Sequence, residues 1–67
     1  MGTESEIYRA ANLLIQEYGE MASPAAFIRA DRLFYKGDIS GRRVWLRIAR
    51  VAEDLLSEKR PANVSVH

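Results

Sequence analysis

The acidic side chains of this chain fall partly in pairs, Glu17 with Glu20 and Asp54 with Glu58, at spacings that put each pair on one face of a helix. Two neighbouring carboxylates can ligate a hard cation or, where burial separates their pKa values, divide the work of acid and base. Calcium asks for about six to eight oxygens, usually on a loop, and neither pair sits in one. Solvated helix charge is the plainer account. Proton transfer is most often the task of histidine, and the one histidine here is His67, the last residue. Ser5, Ser23, Ser40, Ser57 and Ser65 have no histidine to activate them. The absence of cysteine removes thiolate nucleophiles, disulfides and thiolate metal sites together. The glycines match no phosphate-cradling pattern. The expectation is no enzyme, no metal site and no cofactor.

The arginines are more informative than the net charge of +1. Residues 1–22 hold four Glu and one Arg, a balance of −3, whereas residues 23–50 hold six Arg and one Lys against Asp31 and Asp38, a balance of +5. One account is internal: Glu17 and Glu20 face Arg29 and Arg32 across the fold, a match worth at most ~1 kcal/mol per pair. The other is a positive patch for a partner. On a helical wheel Ile39, Arg42, Arg43, Leu46 and Arg50 cluster apart from Trp45, Ile48 and Ala52. Ile28, Arg32 and Tyr35 likewise stand apart from Phe27, Ala30 and Phe34. Aliphatic and tyrosine side chains flanked by Arg suit a protein partner. The candidate partner-binding residues are therefore Ile28, Arg32, Tyr35, Ile39, Arg42, Arg43, Leu46 and Arg50. Trp45, the largest residue on its seam, is expected in the core.

Nucleic acid is the alternative partner, because a tight Gly-Asp turn leads into a helix carrying Arg42, Arg43, Arg47 and Arg50. Against it, that helix has no Asn or Gln to read adenine, and Leu46 interrupts its arginines. A pI near 8.2 is also low for a phosphate binder.

These residues need helices to position them, and three can be read. Thr3 with Glu6 forms a capping box, after which Ile7, Ala11, Leu14 and Tyr18 keep one face apolar until Gly19 ends the helix, giving about 4–18. Ser23 caps and Pro24 opens a second helix, with Phe27, Ala30 and Phe34 as its seam and Gly37 closing it near residue 36. Asp38 caps a third, whose seam of Gly41, Trp45, Ile48, Ala52 and Leu55 runs to about residue 58. Gly41 lies in its first turn, where a missing side chain is expected to admit a neighbouring backbone. The link between the last two helices is so short that a sharp corner is expected rather than a relaxed antiparallel hairpin. The third helix outruns the other two, so Leu55 and Leu56 are expected either to stay partly exposed or to pack against something else.

The ordered pieces Ile7-Tyr8-Arg9-Ala10-Ala11, Leu14-Ile15, Gly19-Glu20, Arg29-Ala30-Asp31, Lys36-Gly37-Asp38, Val44-Trp45 and Arg47-Ile48 resemble a family of short, uncharacterised all-helical bacterial proteins. The resemblance covers residues 6–56. It implies a compact helical protein in the bacterial cytoplasm and supplies no activity. The family carries more Ala and Glu around the second helix, where this chain has Phe27, Ile28, Phe34 and Tyr35.

With 67 residues the chain makes one small domain, which buries only about 60% of the surface its unfolded form exposes. No apolar run is long enough to span a bilayer. The expected architecture is an all-α, small three-helix bundle over residues 1–60, with a tight turn before a longer third helix and a disordered tail over 61–67. The expected function is a protein-interaction module, with a homodimer among the options, no membrane partner, and nucleic acid as the weaker reading.

Overall fold

The computed structural model describes residues 4–59, and all of them are helical except Lys36, Gly37 and Asp38. The Thr3 capping box, His67 and the expected tail lie outside the described residues. Helix α1 spans Glu4–Tyr18, a single 3-10 turn spans Gly19–Met21, α2 spans Ala22–Tyr35 and α3 spans Ile39–Lys59. Helical structure thus runs from Glu4 to Tyr35 by way of the 3-10 turn and reverses into α3. The molecule is all-helical, but it is not the expected three-helix bundle. It consists of two helical runs, with α2 and α3 packed as a hairpin and α1 laid against part of it.

Local chemistry sets each break. Gly19 adopts φ +59, where a side chain on any other L-residue would be strained, and so ends α1. Pro24 then sits in the third position of α2, still within the first turn, where its missing N–H breaks no helical bond. The expected Ser23 cap is displaced: α2 starts two residues before Pro24, at Ala22 with Met21 as N-cap, and Ser23 is buried at 7% exposure inside the helix. Proline satisfies several first-turn positions equally well, so the sequence leaves that boundary loose.

The reversal between α2 and α3 takes three residues. Gly37, at φ +85, donates its N–H to the Phe34 carbonyl at 3.0 Å, and Asp38 donates to the Leu33 carbonyl at 2.9 Å. These two bonds form a Schellman motif and satisfy the last carbonyls of α2. Asp38 is also the N-cap of α3: its Oδ1 accepts from the Gly41 N–H at 2.9 Å and its carbonyl from the Arg42 N–H at 3.0 Å. A Cβ on Gly41 would approach the Asp38 carboxylate to 2.6 Å. The space at that glycine is taken by the capping side chain of Asp38, not by the neighbouring backbone expected there. Because one residue ends one helix and starts the next, the chain turns back fully, and the expected sharp corner is replaced by an antiparallel hairpin. Arg42 meets Phe34 near its tip, while Glu53, Leu56 and Ser57 share a groove with Ser23, Pro24 and Phe27 at its base.

Small residues make that hairpin close. Ala22, Ala26 and Ala30 recur every fourth residue along α2, and Ala49 and Ala52 meet them from α3; all five are fully buried. Ile7 and Ala11 bring α1 onto the same cluster beside Ile48, while Leu14, Ile15, Val44, Trp45, Val51, Leu55 and Leu56 pack around it, partly buried. Complete burial of Ile7 or Ile48 contributes about 1.5–3 kcal/mol. The expected seams are corrected here. Phe27, Phe34 and Tyr18 are exposed, at 44%, 51% and 51%, and do not fill the core. Leu55 and Leu56 pack on the cluster and are partly buried; it is the start of α3, before Arg47, that α1 leaves to α2, since α1 places Glu4 against Arg47 and Tyr8 beside Asp54, Leu55 and Glu58.

Candidate functional site

The hairpin has two broad faces, and α1 occupies one. At about 100° per residue, Val44, Ile48, Val51 and Leu55 share one arc of α3; all pack on the cluster that Ile7 and Ala11 enter. On α2, the flank with Ala25, Arg29 and Arg32 lies beside Tyr18 at the end of α1. The opposite face carries Phe27 and Phe34 from α2 and Ile39, Leu46 and Glu53 from α3, with no element of the described chain over it.

Apolar side chains run along that open face, with charges at both ends and with Asp31 and Arg50 exposed at its margins level with the middle. At the tip the Arg42 guanidinium lies 5.1 Å from the centre of the Phe34 ring, and Phe34 meets Tyr35 edge-on with ring centres 5.9 Å apart. A stacked arginine retains its charge while covering part of the ring. Arg43 is exposed beside it, whereas Arg50, also exposed, lies two turns further along α3 and only three residues from Glu53. At the base, Phe27 and Ile28 join Pro24, Leu56, Glu20 and Glu53 in an open groove of about 700 Å³. The face is therefore basic at the hairpin tip and acidic at the base.

The eight residues selected from sequence are only partly brought together. Ile39, Arg43, Leu46 and Arg50 share the open flank of α3, although Leu46 is half-buried rather than outside the fold. Arg42 is likewise half-buried, held against Phe34 in the hairpin. Ile28 and Tyr35, at 58% and 86% exposure, point outward from α2. Arg32 is on the other flank, grouped with Arg29, Leu33, Lys36 and Trp45. Trp45 is half-buried against the core, with Arg29 stacked 4.8 Å from its ring centre. That stacking replaces the expected electrostatic match: among the described residues neither Glu17 nor Glu20 pairs with Arg29 or Arg32, and Glu4 instead meets Arg47 at 2.9 Å.

Sequence reasoning missed Phe27, Phe34 and Glu53 as surface residues. A signal was present, since alanines at 22, 26 and 30 define a small-residue seam that rotates both phenylalanines about 80–100° away from it. No three His, Asp or Glu side chains converge as a metal site among the described residues, and no described helix is long and apolar enough to cross a membrane. No family model, curated protein or solved structure matches the chain.

Proposed function

We propose that the protein is a non-enzymatic interaction module that docks another protein on the open face of its hairpin, in the bacterial cytoplasm that the sequence resemblance implies. One observation carries this reading: a chain with a core built mainly of alanines keeps Phe27, Phe34, Ile39 and Tyr35 outside it, on or bordering one face. Scattered exposed apolar residues need no explanation, whereas a contiguous patch of them marks a contact surface. Aromatic side chains with Arg beside them are the composition that protein interfaces enrich.

Nucleic-acid binding has weaker support. Arg43 and Arg50 are exposed, but Arg42 is stacked on Phe34, Arg47 is engaged by Glu4, and Arg32 lies on the other flank, so the cations do not line one groove. A photo-crosslinking residue in place of Phe34, with one in place of the equally exposed Leu13 as control, separates the readings in cells. The expected result is a discrete adduct to protein from position 34 and none from position 13. Adducts to nucleic acid, or no adduct from position 34, would overturn the proposal.

A further inference from the structure

The charge layout of the open face says what fits it. A partner covering the face must offer acid to Arg42 and Arg43 at the tip and base to Glu20 and Glu53 at the other end, and leave Asp31 and Arg50, exposed level with the middle, at its margins. The face itself has that polarity in reverse. We propose that its occupant is a second copy of this chain, seated face to face about a two-fold axis perpendicular to the helices, so that α2 runs antiparallel to its counterpart and α3 to its own. This rests on the reading of the face as a docking surface.

The register follows from symmetry. In an isologous contact, residue i of one copy meets residue j of the other and j meets i. The midpoint between Phe27 and Phe34 on α2 lies at about the same level of the hairpin as the midpoint between Arg43 and Glu53 on α3, as the tip contact of Phe34 with Arg42 and the base groove of Phe27 with Glu53 require. One axis through that level therefore sets Phe27 against Phe34 of the second copy and Arg43 against its Glu53, each twice. The alternative two-fold, along the helices, would lay one basic tip on the other and is disfavoured by like-charge repulsion. The size is adequate: α3, of 21 residues, is about 31 Å long, α2, of 14 residues, about 21 Å, and each is about 10 Å wide, a footprint of about 520 Å². Stable dimers bury about 800 Å² of accessible surface per partner, which a corrugated helical face of that footprint supplies.

Sedimentation of the purified chain, wild type and charge-reversed, tests this. Wild type is expected to dimerise below about 100 μM. Arg43→Glu alone and Glu53→Arg alone should each weaken the dimer about tenfold or more, since two attractions become two repulsions. Mixing the two variants should restore association. In the mixed dimer one contact keeps its native pair and the other carries the same pair with the charges exchanged, so both are attractive again. Helix content and unfolding at dilute protomer concentration, unchanged in both variants, show that folding is not the cause. A monomer at every concentration overturns the second copy while leaving a different protein as occupant of the face, which the crosslink from position 34 reports separately. A dimer indifferent to both reversals, or two variants that fail to rescue each other, overturns the antiparallel seating.

Discussion

The two faces of the hairpin are built from opposite kinds of side chain. On its packed side, between the two helices and under α1, the hairpin buries Ala22, Ala26, Ala49, Ala52 and Ile48, whereas the open face presents Phe27, Phe34 and Ile39, about half exposed. A core of alanines gains little from the area of each side chain but lets backbones approach closely, so its stability lies in packing density rather than bulk. Where bulk is placed outside, it does little for the lone protomer. The difference assigns two tasks: one face holds the protomer together and the other is left for contact.

Substitutions should divide along the same line. Overfilling the packed side is among the most damaging changes: Ala26→Leu inserts three carbons at a fully buried site, and a loss of about 3 kcal/mol, the upper end for overpacking, is expected in urea unfolding. In a domain of this size that is a large part of the total stability. Next comes the reversal that brings the faces into being. Gly37→Ala puts a Cβ at φ +85 with nothing nearby to clash, so backbone strain alone should cost about 1–2 kcal/mol. Asp38→Ala removes the α3 cap and should cost about 1 kcal/mol, read as a lower thermal midpoint. The smallest effect belongs to Arg47→Ala. Its partner Glu4 and Arg47 itself are 69% and 60% exposed, so solvent screening leaves the pair below about 0.5 kcal/mol, and added salt should erase even that.

Much of the fold is legible in the sequence, and what is not has a physical reason. The α1 limits, the glycine stops at Gly19 and Gly37, and the Asp38 cap are local features, and local sequence specifies them. The direction taken after the turn is not local. It depends on Asp38 serving two helices at once and on alanines that allow an antiparallel return. The core is misread for a related reason. Weighing residues by hydrophobicity favours Phe27 and Phe34 over Ala22 and Ala26, but close helix contact selects for small size. Once the alanine seam sets the rotation of α2, the phenylalanines must face outward. On α3 the wheel alone is enough to group Ile39, Arg43, Leu46 and Arg50, because they lie far round the helix from Ile48 and Ala52, which are buried. Arg32 escapes it, because a wheel drawn on one helix does not show which flank a third element will cover.

The claim that bulk lies outside the protomer's core is tested most directly by comparing two truncations at a concentration where the chain is a single protomer. Ile48→Ala should cost about 2–5 kcal/mol in unfolding free energy, as a buried aliphatic does. Phe27→Ala removes a larger side chain from a half-exposed site and should cost about 1 kcal/mol. The smaller residue is thus predicted to matter more; a phenylalanine truncation as costly as the isoleucine one, or costlier, would contradict the account.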